Sequence, residues 1–568
     1  MDLRANDIAN AADNTCQWLL THSNYLKWLQ SRSSLLWIKG KPGAGKSTLM
    51  KYALRREGRD QTVIASFFFN ARGSPMERTP IGLYRSLLHQ LLRFAPDQLS
   101  KLAAIYKERC QLGGEVEKKW NWHEGELKDW LSDLLLALAV RPVRLYIDAL
   151  DESGEAVATQ LVEYCQSLVK KAFCAGNSLS ICFSCRHYPI IATLDGFTIC
   201  VENENSTDIQ AYVQQRLEAN SIEQRKAQLL SQEILKRACG AFQWITLVLP
   251  RVLRECKCGK RIETVQSNIR KLPPELHDLY GMILTEISDD ERFESLKLMR
   301  WICFAFTPLS LSEIRHAMAV DINTSYTTLQ ECTNAESYVE TDEDMEKRVI
   351  DLSKGLAEVQ VHQPFVQLIH ESVKDFLVQD GLQRLEINSP GTAIGRAHLH
   401  LAWTCVRYLG IASAEMGDRD THDPIWWDNS GYSLIHYSTG SWVAHALQVG
   451  EERLLQEDLF RLFQQLHHPY DYRRKHWVGL HLYFKHFKPW AYHGRNLWLS
   501  RNTTVLHIIA MHGLRNVLSA FLNLQDVEPD SKDDDGRTSL SWAAEKGHEA
   551  VVKLLVERDD VVDRKSVV

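Results

Sequence analysis

Eight residues near the start of the chain limit its possible folds more than any other feature. Residues 40–47 read GKPGAGKS and match the pattern G-x-x-x-x-G-K-[ST] without a departure. The glycines let backbone N–H groups turn inward around phosphate groups at the N-terminus of a helix. An apolar run over residues 35–38 precedes the pattern, and residues 47–56 contain no helix breaker. The sequence therefore predicts a strand, a phosphate-binding loop and a helix, in that order.

The residues expected to bind nucleotide lie on this loop and at the start of its helix. Lys46 supplies a charge for the β- and γ-phosphates, and the Ser47 hydroxyl is a ligand for Mg²⁺. The full predicted set is Gly40, Gly43, Ala44, Gly45, Lys46, Ser47 and Thr48. ATP and ADP are the expected nucleotides. GTP stays open, because the loops that distinguish adenine from guanine are not identifiable in the sequence.

A second run, RLYIDALDE at residues 144–152, ends an apolar strand in three acids. Asp148 stands where a Walker B carboxylate holds Mg²⁺, and either Asp151 or Glu152 could orient or deprotonate an attacking water. Arg186 ends the next apolar run, at the sheet edge where open α/β folds bind ligands, and could sense the γ-phosphate. The alternatives are a solvated acid cluster and a locally paired surface arginine. The loop upstream favours the catalytic interpretation.

The apolar pattern predicts a parallel sheet with helices on both faces. Continuous apolar runs at residues 35–38, 63–70, 144–150 and 179–185 alternate with helical segments such as 81–92. From Ser206 onward helices are predicted, including two around Pro308. An acidic stretch at residues 340–346 is predicted to be a solvated loop, and residues 359–370 to be a β-hairpin wing.

The C-terminal region contains an internal repeat. Residues 504–522 and 538–556 align without a gap at a spacing of 34, which pairs Leu506 with Leu540 and Gly513 with Gly547. A unit of about 33 residues with two helices and a D-G-R-T turn is typical of ankyrin repeats. We predict about two repeats, the first degenerate, that bind a protein ligand.

Composition argues against several classes of protein. The net charge of −6 and the pI near 6.4 disfavour a bulk polyanion binder. The aromatic-rich region could stack on single-stranded nucleic acid, but it is more simply explained as core. Its residues are Trp426, Trp427, Trp442, Trp477, Trp490 and Trp498, with Arg473, Arg474 and Lys475 nearby. Nucleic acid is therefore not an expected partner.

Cysteine usage and hydropathy predict a cytoplasmic protein. The 13 scattered cysteines are consistent with reduced thiols rather than a disulfide framework. Cys182 and Cys185 lie three apart on a predicted strand and would diverge, so ordinary thiols are favoured over zinc there, as they are at Cys256 and Cys258. No run reaches the ~18–20 apolar residues needed to cross a bilayer, and the first residues lack the pattern of a secretion signal.

The order of these features resembles NACHT-type STAND NTPases, which are relatives of NOD-like receptors and are abundant in fungi. The segments that carry the resemblance are LLWIKGKPGAGKSTLM, LYIDALDE, FSCRHYP, GAFQWITLVL and IHESVKDFL. In the family a glycine usually stands at the position of Ala149. The resemblance assigns Arg186 to a sensor strand. It also assigns His370 to a winged-helix segment whose histidine contacts the β-phosphate of bound ADP.

The resemblance implies a multidomain fold: an α/β P-loop NTPase core with a parallel sheet, then all-α helical and winged-helix domains, then a short α-solenoid of ankyrin repeats. The predicted boundaries are 1–34 for an N-terminal helical lead-in and 35–205 for the NACHT nucleotide-binding domain. Residues 206–270 form a helical domain and 271–380 a winged-helix-like domain. Residues 381–500 form an aromatic-rich helical domain and 501–568 the ankyrin repeats.

The function that the resemblance implies is a nucleotide-gated signalling switch. In the family, the ADP-bound form is a closed monomer, and a ligand on the repeats favours exchange to ATP, opening and homo-oligomerisation. Hydrolysis is slow and resets the switch, and the expected setting is innate immunity or heterokaryon incompatibility. Two other functions stay open. One is an ankyrin-type binding scaffold with a structural nucleotide, and the other is a constitutive P-loop NTPase.

Overall fold

A computed structural model describes most of the chain. The described ranges are 3–56, 62–113, 120–138, 141–187, 196–320, 326, 328–336, 338–360, 364–386, 391–415, 431–450, 453–466, 503–524, 527–533 and 535–558. The chain divides into two compact units. The first is Met1–Met282 with His370–Val373, and the second is Ile283–Ile369 with Lys374–Val568.

A five-stranded parallel sheet is the centre of the first unit. Its strands are β1 Leu35–Lys39, β2 Val63–Phe68, β3 Val143–Asp148, β4 Leu179–Cys185 and β5 Phe197–Cys200, in the order β2-β3-β4-β1-β5. Lys39 pairs with Cys185 and Phe68 with Asp148, so the C-terminal ends of four strands meet at one edge. The predicted parallel sheet is confirmed.

The helices of the first unit cover both faces of the sheet and continue beyond it. They are α1 Leu3–Asp7, α2 Ser23–Gln30, α3 Lys46–Arg56, α4 Pro75–Arg78, α5 Pro80–Leu91, α6 Pro96–Gly113, α7 Glu124–Ala137, α8 Glu155–Cys174, α9 Val201–Glu204, α10 Ser206–Ala219, α11 Gln224–Ala238, α12 Phe242–Lys257 and α13 Ile262–Lys271. Helix α14, Leu276–Leu284, ends this unit and begins the next.

Alternate residues of β1 belong to two different cores. Leu35 and Trp37 pack with residues of α5, α7 and α8, whereas Leu36 and Ile38 pack with residues of α2 and α3 on the other face. Because both faces are buried, residues 35–38 of the strand are all apolar instead of alternating with polar residues. The same division separates Cys182 from Cys185, which lie in different cores. Their divergence, inferred from strand geometry, is confirmed.

Strand β5 was not predicted. Its four residues pair with β1 and form one edge of the sheet. A run this short, with an exposed threonine in it, carries too little periodicity to be recognised in the sequence.

The second unit is mostly helical among the described residues. Its helices are α15 Arg292–Phe304, α16 Leu311–Ala319, α17 Leu329–Thr333, α18 Asp342–Leu352, α19 Glu371–Phe376 (which begins in the first unit), α20 Leu382–Leu385, α21 Ala393–Glu415, α22 Ile435–Leu447, α23 Arg453–Leu466, α24 Val505–Met511, α25 Arg515–Phe521, α26 Ser539–Glu545 and α27 Glu549–Val556. Strands β6 Leu309–Ser310, β7 Ala357–Val359 and β8 Phe365–Leu368 form an antiparallel sheet in the order β6-β8-β7. The predicted hairpin is confirmed as β7 and β8, and the helices around Pro308 as α15 and α16.

The acidic stretch is not a solvated loop, so that prediction was wrong. Asp342, Glu343 and Asp344 form the first turn of α18, and the Thr341 side chain accepts the Asp344 N–H at 3.1 Å as an N-cap. Carboxylates in a first turn interact favourably with the helix dipole. The acidic run therefore begins a helix, and Met345, Val349 and Leu352 bury its apolar face.

The two predicted repeats each contain a pair of short helices. They are α24 with α25 and α26 with α27. Gly513 and Gly547 follow the first helix of each pair and adopt positive φ values of 73° and 74°. A left-handed residue there is characteristic of a helix C-terminus, and glycine adopts it without strain.

The aromatic-rich region falls largely outside the described residues. Trp442 is fully buried on α22, as expected of a core residue. The other five tryptophans and the basic residues 473–475 lie outside the described ranges. Within the parts of the chain that the structure describes, no helix combines the length and apolarity that crossing a membrane requires.

Two buried histidines form a hydrogen-bonded network in the second unit. The Nδ1 atoms of His398 and His445 lie 2.9 Å apart, and His445 Nε2 lies 2.7 Å from the Tyr437 hydroxyl. Burial lowers the pKa of His398 to about 4 and that of His445 to about 3. Both imidazoles are therefore neutral at neutral pH. The same two histidines bind protons more readily in the unfolded chain than in the folded protein.

We expect acid to destabilise this unit. Since the folded pKa values lie below the unfolded value, stability present above about pH 6.5 is lost as the pH falls, by up to about 1.4 kcal/mol per pH unit for each imidazole. His445→Gln should reduce the decrease in melting temperature between pH 7 and pH 5. His436→Gln, at an exposed position on the same helix, is the control. An unchanged slope in the His445 variant would contradict the assignment.

Candidate nucleotide-binding site

The glycine loop lies between β1 and α3, at the C-terminal edge of the sheet. Gly43 and Gly45 have φ values of +71° and +94°, which only glycine adopts readily. Lys46 Nζ donates to the carbonyl oxygens of Gly40 at 2.9 Å and Lys41 at 3.0 Å. Burial lowers the pKa of Lys46, while Asp151 and Asp148 act in the opposite direction. The ammonium group is therefore held by the loop backbone, near the carboxylates of Asp151 and Asp148.

Asp148 is the last residue of β3 and is 1% exposed. Its carboxylate accepts hydrogen bonds from the Ser184 and Ser47 hydroxyls. Burial raises the pKa of Asp148, and these two hydrogen bonds partly oppose the rise. A hydroxyl oxygen and a carboxylate oxygen are ligands that suit Mg²⁺. The structure thus brings together Ser47 and Asp148, the two residues predicted to hold the metal.

Asp151 and Arg186 form an ion pair. Arg186 Nε lies 3.0 Å from Asp151 Oδ2, and the Arg186 backbone N–H donates to Asp151 Oδ1 at 3.1 Å. Glu152 instead accepts the backbone N–H of Ala71, just after β2, at 2.9 Å. All three residues lie at the same sheet edge. Each carboxylate has a different partner, so Asp151 orients the arginine and Glu152 holds the loop after β2.

Ala149 adopts a left-handed conformation, with φ 51° and ψ 46°. Its N–H donates to Ser184 Oγ at 2.9 Å, so the turn and the hydrogen bonding of Asp148 share one hydroxyl. For an L-residue other than glycine this conformation costs about 1–2 kcal/mol. The sequence departs from the usual glycine at this position, and the backbone explains why glycine suits it.

His370 belongs to the first unit, although it is far downstream in the sequence. Its Nδ1 accepts the Ser372 N–H at 3.1 Å. Burial lowers its pKa well below the usual value, and Arg72, Lys46 and Arg186 lower it further. A neutral imidazole whose Nδ1 accepts carries its proton on Nε2. His370 therefore has one N–H available for an anion in a site rich in cations.

Sequence reasoning missed two cations of this site. Arg72 follows β2, and its Nε lies 3.7 Å from Glu371 Oε2, with both side chains almost fully buried. Arg4, on α1, is near enough to influence the pKa of Asp148 and of His370. A signal for Arg72 was present, because it is the first charged residue after an apolar strand, as Arg186 is. Arg4 has no comparable signal.

The sequence also did not indicate that His187, Cys200 and Glu202 lie together near the glycine loop. Glu202 accepts the Lys41 N–H at 3.3 Å and pairs with His187 Nε2 at 2.5 Å. Cys200 Sγ lies 3.6 Å from the same His187 nitrogen. Among the described residues, His187, Cys200 and Glu202 could together hold a metal ion. The carboxylate is already engaged by His187 and by the loop.

A strand, a glycine loop and a helix, followed by a buried acid at the end of a neighbouring strand, define the P-loop NTPase fold. Three protein families match the chain in sequence order. "Nephrocystin 3, N-terminal" matches residues 14–186, and "GPI inositol-deacylase, winged helix domain" matches residues 286–386. "Ankyrin repeats (3 copies)" matches residues 482–565. In this order, the three matches support the resemblance of the chain to NACHT-type STAND P-loop NTPases with C-terminal ankyrin repeats.

Two curated proteins are similar to parts of the chain. Vegetative incompatibility protein HET-E-1 of Podospora anserina is 25% identical over 389 residues, which cover 64% of this chain and 26% of that protein. Azaphilone pigments biosynthesis cluster protein L of Monascus ruber is 26% identical over 203 residues, covering 34% of this chain and 40% of that protein. The chain thus spans less than half the length of either relative.

Solved structures with partial similarity include a STAND protein with a tetratricopeptide repeat sensor from Pyrococcus horikoshii. It is 13% identical with a TM-score of 0.38, over 95% of this chain and 64% of that one. Cdc6p from Pyrobaculum aerophilum is 12% identical with a TM-score of 0.28, over 66% of this chain and 97% of that one. These TM-scores are too low to support an inference about this chain.

We expect Ala149→Gly to stabilise the nucleotide-binding unit by up to about 1 kcal/mol. Relief of the left-handed strain, about 1–2 kcal/mol, exceeds the extra backbone entropy that glycine loses on folding, about 0.5–1 kcal/mol. Ala149→Val should destabilise the unit, because a β-branched side chain fits a positive φ poorly. Chemical denaturation measures both changes. A glycine variant less stable than the parent protein would contradict the strain argument.

Proposed function

We propose that this chain is a nucleotide-gated signalling switch. It binds ATP or GTP with Mg²⁺, hydrolyses it slowly, and couples nucleotide state to opening and homo-oligomerisation. The ankyrin repeats bind a protein ligand that biases this equilibrium. The match to the vegetative incompatibility protein HET-E-1 supports heterokaryon incompatibility as the setting. Innate immunity is the other proposed setting, and the cytoplasm is the proposed location.

The membership of residues His370–Val373 in the first unit carries the proposal. The chain before and after these four residues belongs to the second unit. Lys46, Arg72 and Arg186 are close enough to His370 to lower the pKa of its imidazole. A segment whose neighbours belong to another unit therefore adds a donor to the phosphate-binding site. A ligand bound at that site can therefore strengthen or weaken the binding of the His370–Val373 segment to the first unit.

The residues of the site divide the work of binding and hydrolysis. Ser47 and Asp148 would hold Mg²⁺, which neutralises charge on the phosphates. The loop from Gly40 to Thr48 binds the phosphates through backbone N–H groups, and Lys46 supplies a positive charge. Glu152 or Asp151 orients the attacking water. Arg186, held by Asp151, responds to the γ-phosphate.

The two nucleotide states differ by their contacts to the γ-phosphate. Arg186 and Lys46 gain contacts with a triphosphate that a diphosphate cannot supply. His370 donates from Nε2 to the β-phosphate and thereby favours the closed form. A nucleotide shifts the balance of two conformations only by its difference in affinity for them. The switch therefore depends on a few charged groups around one phosphate.

We expect His370→Ala to accelerate ADP release by about 10- to 100-fold, the effect of one hydrogen bond to a charged group. The release of a fluorescent ADP analogue, chased with unlabelled ADP, measures this rate. In light scattering, the variant should form oligomers at a lower ATP concentration than the parent protein. His89→Ala, at an exposed position on α5, is the control.

The other outcomes separate the alternatives. Release of ADP from the His370 variant at the parent rate would remove His370 from the site. A parent protein and an Asp148→Asn variant that both stay monomeric with ATP and bind partners equally would favour the scaffold. Fast, saturable turnover by the isolated monomer would favour a constitutive NTPase.

A further inference from the structure

The beginning of helix α10 is hydrogen-bonded to three separate segments of the first unit. Asn205, the N-cap residue, donates from Nδ2 to the carbonyl oxygen of Ala44 at 3.1 Å and to that of Gly240 at 2.8 Å. Asp208, one turn later, accepts the Cys16 N–H at 2.8 Å through Oδ2. Asn205 and Asp208 are 2% and 6% exposed. One helical turn thus contacts the phosphate-binding loop, the segment before α12 and the N-terminal segment.

The use of Asn205 is unusual for its position. An asparagine at an N-cap ordinarily accepts an N–H of its own helix through its side-chain oxygen. Here the amide nitrogen points away from α10 and donates to two carbonyl groups distant in the sequence. Since a buried amide is costly without partners, its orientation is fixed by these two bonds.

The bond to Ala44 determines the direction of a phosphate-binding N–H. In a trans peptide, the carbonyl group and the following N–H lie in one plane and point in opposite directions. The Ala44 carbonyl faces Asn205, so the Gly45 N–H points to the other side of the loop. Gly45 immediately precedes Lys46, at the start of α3. Asn205 therefore orients a donor of the loop without contacting the ligand itself.

Asp208 holds a strained turn in place. Asn14 and Cys16 are not glycines, yet both adopt left-handed conformations with φ values of 64° and 65°. The Asp208 carboxylate accepts the Cys16 N–H and also the Trp18 indole N–H, the latter at 3.0 Å. Strained backbone of this kind persists only where its surroundings determine it. This turn is therefore tied to the same helical turn as the phosphate-binding loop.

We propose that Asn205 and Asp208 are positioning residues for nucleotide binding. Asn205 orients the Gly45 N–H towards the phosphates, and Asp208 joins the N-terminal turn to the same helix, so that the turn and the loop keep one relative arrangement. The inference rests on the proposed function, because it assumes that the loop binds nucleotide. It adds two residues that reach neither the phosphates nor the metal and that nevertheless set the affinity.

Equilibrium binding of ADP and of ATP with Mg²⁺, measured well below the melting temperature, tests the role of Asn205. Asn205→Ala should weaken binding by about tenfold, the effect of one oriented hydrogen bond. Asn220→Ala is the matched control, because Asn220 lies at the other end of α10 and bonds only locally, to the Arg216 carbonyl. It should bind as the parent does.

The Asp208 variants test whether positioning requires the acceptor oxygen. Asp208→Ala removes the acceptor and should weaken nucleotide binding, while Asp208→Asn keeps an oxygen acceptor and should restore much of the affinity. Such a rescue distinguishes positioning from a general loss of stability. If Asn205→Ala does not fold, Asn205→Asp keeps the size of the side chain but cannot donate to the Ala44 carbonyl when ionised.

The results separate this inference from the proposed function. A parent protein that binds no nucleotide overturns both. A parent that binds while folded Asn205 variants bind equally well overturns the positioning role alone. If the variants have a lower melting temperature but bind nucleotide at low temperature as tightly as the parent, the two residues have only a structural role. That result also overturns the inference.

Discussion

The parallel pairing of β1 with β4 is the constraint on which the rest of the nucleotide-binding unit depends. Its register aligns Lys39 with Cys185, so the glycine loop and Arg186 leave the sheet at the same edge. The pairing of β3 with β4 adds Asp148 to that edge. Residues more than 100 positions apart therefore meet beside the glycine loop, and the helix dipole of α3 favours an anion there.

The buried charges of this edge compensate one another. Asp148 is held by two hydroxyl groups, Asp151 by Arg186, and Glu371 by Arg72. Taking a charge out of water is costly unless it is paired and hydrogen-bonded. His370 avoids the cost by staying neutral. A nucleotide with its metal adds several charges to this arrangement. We therefore expect nucleotide binding to change which of these buried groups pair with one another.

The sequence was sufficient to predict the strands and helices around the loop, because β1, β3 and β4 are largely buried on both faces and are therefore mostly apolar. It also predicted that Ser47, Asp148, Asp151 and Arg186 would lie at this edge, each by its place at a strand end or in a motif, and the structure places them there; their roles stay predictions. It could not identify Arg4, Asn205 or Asp208. The hydrogen-bond partners of Asn205 and Asp208 lie 35 to 192 residues away in the sequence. Contacts at this separation are determined only by the tertiary fold. The acidic run at the start of α18 was wrongly predicted to be a loop. Its charge is typical of solvated loop structure, and the N-cap residue Thr341 was not considered.

The nucleotide that accompanies the purified protein tests the central claim most directly. The protein is denatured, and the released nucleotide is identified and quantified by ion-pair chromatography, with Lys46→Ala as the control that removes the charge at the loop. We expect near-stoichiometric ADP in the parent protein and little in the Lys46→Ala variant. A parent protein without nucleotide, which also fails to bind ATP or ADP when they are added with Mg²⁺, would contradict that claim.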